Sequence, residues 1–147
     1  YHAMAVTAIM GRGNKKLVSE LPAQISADKI LFVGIRDWER QEIKDRQQEY
    51  GIKHLTPDEV KIDSTKVIDW LKSTGVKHVV IHFDMDVLDP NEIIAAVGVV
   101  PNGINMDEAA RVINDISKEF NLIGLTVAEP VPRTAIKLKN MLNKLPI

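Results

Sequence analysis

Asp84 and Asp86 stand two residues apart at the end of the apolar run Val79-Val80-Ile81-His82-Phe83. In an extended chain residues i and i+2 face the same side, so the two carboxylates point together, with His82 one step earlier on that side. Two carboxylates held a few Å apart repel each other, and a cation relieves that cost. Hard divalent ions such as Mg2+ and Mn2+ suit carboxylate oxygens. The chemistry to expect is therefore metal-assisted. A plainer alternative makes one Asp a cap for the next segment and leaves the other solvated. The apolar strand in front, and Asp89-Pro90 three residues behind, weigh against it.

These residues need a scaffold that gathers strand ends. Lys29–Ile35 and His78–Asp84 read as buried strands, Leu122–Val127 as another, and Ile52–Leu55 as a short one. Between them lie helix-favouring segments: polar Arg36–Tyr50 with Gly51 as C-cap, Thr56-Pro57-Asp58-Glu59 as a capping box, and a helix from Ser64 to Gly75 carrying Val67, Ile68 and Leu71. Asn105-Met106-Asp107-Glu108 opens a further helix with Ala109, Val112, Ile113, Ile116 and Phe120 on one face, and a last helix bears Ile136, Leu138, Met141, Leu142 and Leu145. Ala3–Met10 reads as one or two buried helical turns stopped by Gly11 and Gly13. Apolar strands alternating with amphipathic helices predict an α/β fold, a mostly parallel sheet with helices on both faces.

In such sheets ligands bind beyond the carboxyl ends of the strands. Those ends carry Arg36-Asp37, Asp84-Met85-Asp86 and Glu129, so acidic groups collect on one edge. Arg36-Asp37 is expected to be a structural ion pair, and Asp89 a turn former. His54 and His78 read as surface or packing residues, and Trp38 and Trp70 as helical residues without a functional role.

The chain has 147 residues, the size of one domain, and its net charge is −1, so no basic surface points to nucleic acid or to a membrane. Its longest apolar stretches, Ala3–Met10 and Ile93–Val100, fall short of the ~20 residues of a membrane helix. Cysteine is absent, which excludes disulfides and thiolate chemistry and fits a reducing cytoplasm. The first residue is Tyr1 rather than Met, and the chain reads as a single α/β domain, 1–147, from the C-terminal part of a longer protein.

Three known motifs compete for the acidic run. A calcium EF-hand fails, because Leu88 and Asp89 stand where its loop needs an Asp or Asn and then glycine. Phe83-Asp84-Met85-Asp86-Val87 is similar to the signature of haloacid-dehalogenase-type phosphatases, which would make Asp84 a nucleophile and Asp86 an acid/base. That motif normally opens its domain, however, and only Glu129 is offered downstream. His82-Phe83-Asp84-Met85-Asp86-Val87-Leu88-Asp89-Pro90 resembles the Ser-Phe-Asp-x-Asp-x-x-Asp-Pro signature of the ureohydrolases, the family of arginase, agmatinase and formimidoylglutamase. Weaker matches follow the family's order. They are His2-Ala3-Met4, Gly34-Ile35-Arg36-Asp37 with Glu42, Pro101-Asn102-Gly103 with Glu108, and Val127-Ala128-Glu129-Pro130-Val131-Pro132.

The resemblance implies an arginase-like fold and a hydrolase of linear guanidino or amidino C–N bonds, in which a hydroxide bridging two Mn2+ ions attacks the guanidinium carbon. Carried onto this sequence, Asp84 and Asp86 become metal ligands, Glu129 holds the guanidinium group, Glu39 contacts the substrate's amino group, and His2 shuttles protons. A small-molecule substrate and a homo-oligomer are implied as well. The family's upstream His and Asp-Ala-His-x-Asp ligands have no counterpart here, and Ile94-Ala95-Ala96-Val97-Gly98-Val99 replaces its threonine-bearing loop. This piece alone is therefore expected to bind Mn2+ weakly and to be inactive. An inactive ureohydrolase-like subunit is the non-enzymatic alternative.

Overall fold

A computed structural model describes residues 4–93, 100–130 and 135–146. In chain order these form α1 (Ala5–Ile9), α2 (Lys15–Ser19), β1 (Leu31–Val33), α3 (Gln41–Tyr50), β2 (Lys53–Leu55), α4 (Pro57–Lys61), α5 (Thr65–Thr74), β3 (His78–Asp84), α6 (Met106–Glu119), β4 (Asn121–Ala128) and α7 (Ala135–Leu142). Single 3-10 turns lie at Ala27–Lys29 and Met85–Val87. The strands pair as β1 with β2 and as β3 with β4, in two two-stranded sheets. The chain divides into two compact units, residues 1–32 with 40–53 and residues 33–39 with 54–147.

The first unit is built from short helices. The Ile25 amide donates to the Ile9 carbonyl, and the Arg12 guanidinium lies over the Tyr50 ring, 4.3 Å from its centre. Gly51, at φ 74°, closes α3 in the left-handed conformation that suits glycine, as its position after Tyr50 predicts. The polar helix starts only at Gln41: residues 35–40 run irregularly, with Glu39 in the left-handed conformation at φ 58° and Arg40 extended. Trp38 therefore lies outside a helix and meets His54 edge-on, 5.3 Å between ring centres.

The second unit carries the larger core. α6 begins with reciprocal bonds: the Glu108 amide donates to Asn105 Oδ1 at 2.8 Å, and the Asn105 amide donates to Glu108 Oε2 at 2.7 Å. This satisfies two amides that lack a partner at any helix start. Its buried face is Ala109, Ala110, Val112, Ile113 and Ile116. α5 adds Val67, Ile68 and Leu71, β3 adds Phe83, and Met141 and Leu145 join this buried set from the chain's last helix and the turn after it. Burying one such Val, Leu, Ile, Phe or Met side chain stabilises by about 1.5–3 kcal/mol.

Polar contacts tie the helices. Arg111 of α6 donates to the Val60 and Lys61 carbonyls at the end of α4, capping groups that the helix itself cannot satisfy. The Ser64 hydroxyl does not cap α5. It donates instead to Asp115 of α6 at 2.8 Å, and Asp63 accepts the Thr65 amide in its place.

β3 and β4 run parallel with His78 beside Asn121 and Asp84 beside Ala128, and the register shifts between Val79 and Val80. Continuous apolar strands predict burial on both faces, but Val80 is 63% and Ile123 61% exposed. Phe83 faces inward while Val80 and His82 face out, so β3 alternates with period two in this chain. Ile136 of α7 is also open, at 79%. No helix among the described residues is long and apolar enough to cross a membrane.

The α4 cap ties stability to pH. Lys66 Nζ bonds Glu59 Oε1 at 2.8 Å, and the Thr56 amide and hydroxyl donate to Glu59 Oε2. With the Lys66 bond the largest cause, these partners lower the Glu59 pKa from 4.5 to about 2. A depressed carboxyl pKa contributes stability fully above the unfolded value and loses it as pH falls from 4.5 toward 2. Thermal melts of Glu59→Gln should lie below wild type at neutral pH and converge on it across that window. Parallel melting curves would contradict this role.

Candidate metal centre

Parallel pairing places the carboxyl ends of β3 and β4 on one edge. Asp84 ends β3 beside Ala128, and Glu129 is the next residue on β4's side. The chain turns sharply at both strand ends. Met85–Val87 wraps into a 3-10 turn, so Asp86 leaves the strand line while the Asp86 amide points back at Asp84 Oδ1, 3.4 Å away. Glu129 sits at φ 58°, a left-handed conformation uncommon for a side chain with a Cβ and held only where its surroundings impose it. The outcome is a convergence: Asp84, Asp86 and Glu129 each bring a carboxylate oxygen within 4.8 Å of the others. Asp86 is exposed and the other two are half-buried.

Three carboxylates so close repel one another when ionised, and hard oxygen donors in this number suit a divalent cation. The donor set fits manganese or magnesium. Among the described residues no sulfur belongs to the group, so it does not suit a soft metal.

The remaining expected residues fall elsewhere. His82 points out of the sheet and its Nδ1 lies 2.7 Å from Thr126 Oγ1 on β4. Glu39 is exposed, also in the left-handed conformation at φ 58°, and its amide donates to Asp37 Oδ1. It is not among the three clustered carboxylates. Asp89 is a turn former, accepting the Asn91 amide at 2.8 Å; that bond, with the Asn102 and Gly103 amides, holds its carboxyl below the usual carboxylate range. His2 and the 94–99 loop lie outside the described residues.

Arg36 departs from its expected pairing with Asp37. Its Nη2 donates to the carbonyls of Asp86, Leu88 and Val100, and its Nε to that of Pro101. Nothing in the spacing of Arg36 and Asp37 signals those partners, which lie 50 or more residues downstream.

A family model for the arginase family matches residues 2–141. The chain belongs to the arginase family. Among curated arginase-family relatives, the arginase of Entamoeba histolytica is 30% identical over 138 residues, covering 90% of this chain and 45% of that protein. The solved structure of Entamoeba histolytica arginase, in complex with L-ornithine, superposes with a TM-score of 0.83 and 26% identity, over 97% of this chain and 50% of that one. Helicobacter pylori arginase shares the fold at a TM-score of 0.82 and 17% identity, over 97% of this chain and 56% of its own. The chain thus spans about half the length of the arginases it matches. Its α/β architecture is a partial arginase fold, and the family match displaces the phosphatase reading of Phe83–Val87.

Gly34, against the Val87 side chain, and Gly103, against the main chain of residues 87–89, let the acidic turn pack. A Cβ on Gly103 would stand 2.5 Å from the Val87 carbonyl oxygen and 2.6 Å from the Asp89 nitrogen. Backbone cannot yield as a side chain can, so Gly103→Ala should cost about 1–3 kcal/mol, as overpacked sites do. Urea denaturation measures this. A change below about 0.5 kcal/mol, typical of an ordinary surface site, would show that the contact is not constraining.

Proposed function

We propose that this chain is the C-terminal part of a hydrolase that cleaves a linear C–N bond in a guanidino or amidino compound, with Asp84 and Asp86 as ligands of its manganese centre. The observation that carries the proposal is the convergence of Asp84, Asp86 and Glu129 on one strand edge, in a chain of the arginase family. Manganese held there supplies Lewis acidity and brings the pKa of water toward neutrality.

The protein's own groups divide the remaining work. Glu129 accepts charge-assisted hydrogen bonds from the planar guanidinium or amidinium group, a geometry in which a carboxylate can take two parallel N–H donors. Its carboxylate lies beside the two aspartates. Glu39 reaches the substrate's amino end. His2 carries a proton between solvent and the departing amine, a task suited to an imidazole with an unperturbed pKa of ~6.5. Water adds across the C–N bond, and urea or a related amide leaves with the amine. Manganese as the native metal, a homo-oligomer and a cytoplasmic setting belong to the same proposal.

Two aspartates supply too few donors for a two-metal cluster, so this chain by itself holds only part of the ligand set. Calorimetric titration of the 147-residue chain with Mn2+ should show weak binding and no urea release from arginine or agmatine. Asp84→Asn or Asp86→Asn should weaken that binding by at least about tenfold, whereas Glu129→Gln should change it by less. Tight stoichiometric binding would contradict the division of ligands, and an unchanged affinity in Asp84→Asn would contradict the site.

A further inference from the structure

Asp86 lies past the end of β3, on the turn Met85–Val87. The path of that turn's backbone sets where its side chain starts. Two sets of contacts fasten that backbone. One is a bridge to the segment before α6: the Asp89 amide donates to the Ile104 carbonyl at 2.8 Å, and the Ile104 amide to the Val87 carbonyl at 3.1 Å. The other is Arg36. Its Nη2 reaches the carbonyls of Asp86 at 3.0 Å, Leu88 at 3.4 Å and Val100 at 2.5 Å, and its Nε reaches that of Pro101 at 3.0 Å.

We infer that Arg36 is a positioning residue for the metal centre, clamping the carbonyl of Asp86 itself and so fixing where that carboxylate stands relative to Asp84. The inference rests on the reading of Asp84 and Asp86 as manganese ligands. A guanidinium suits this task because it is planar and presents several donors in fixed directions. Lysine carries the same charge on one flexible point and cannot hold carbonyls of two segments in set directions. The Arg36 hydrogen bonds described above all go to main-chain carbonyls. Arg36 acts through the main chain of a ligand.

The clamp makes a prediction opposite in sign to that of simple electrostatics. Arg36 places a positive charge beside an acidic, cation-binding turn. If charge alone mattered, Arg36→Met would strengthen Mn2+ binding by removing repulsion. If position matters, Arg36→Met and Arg36→Lys both weaken it, by about tenfold as for other residues that orient metal ligands.

Mn2+ titration followed by electron paramagnetic resonance reads this directly on the 147-residue chain, with circular dichroism melts of each variant alongside. Weaker binding in both variants, with the fold retained, supports the clamp. Affinity unchanged in Arg36→Lys, or raised in Arg36→Met, overturns it. Wild-type chain that binds no Mn2+ overturns the manganese reading of Asp84 and Asp86, and the clamp's role falls with it. Should neither variant fold, the wild type decides by nuclear magnetic resonance. The Arg36 Nε–H should exchange with water at least about tenfold more slowly than those of the exposed Arg40 and Arg46, and equal rates overturn the clamp.

Discussion

The parallel pairing of β3 with β4 is the constraint on which the site depends. It sets Asp84 beside Ala128 and so brings Glu129, 45 residues later in sequence, to the same edge as the Asp84–Asp86 pair. A one-residue slip would turn every side chain of a strand to the opposite face. Phe83 would leave the core and Asp84 would leave the edge. The observed register is one in which three carboxylates meet.

The turn after β3 answers a different demand. Strand geometry alone would send Asp86 onward in the direction of the strand, away from Glu129. The 3-10 turn at Met85–Val87 takes it off the strand line, and that turn packs close against its backbone neighbours. Gly34 and Gly103 leave room where a Cβ would meet Val87 or the main chain of residues 87–89, and Arg36 takes up carbonyls that the turn cannot satisfy itself. Irregular backbone carries the functional groups while regular elements fix where it begins.

Much of this was legible in the sequence because it is local. The β3 run, the capping boxes at Thr56–Glu59 and Asn105–Glu108, the Gly51 and Gly75 caps, and the Asp84–Asp86 spacing all act within a few residues. Motif order along the chain then gave the family. What escaped was non-local. Ser64 bonds Asp115 across 51 residues rather than capping its own helix. Arg36 turns to carbonyls 50 to 65 residues away instead of to adjacent Asp37. Exposure of Val80 and Ile123 escaped for a related reason: apolar composition states what a strand can bury, and only the packed chain shows whether anything covers it.

The family assignment rests on nearly the whole chain, whereas the chemistry rests on one strand edge. Crystals soaked in Mn2+ and measured by anomalous diffraction at the manganese edge test that edge most directly. An anomalous peak is expected against the Asp84 and Asp86 carboxylates, with Glu129 alongside. A peak only elsewhere on the chain, or none at the strand edge, would contradict that expectation.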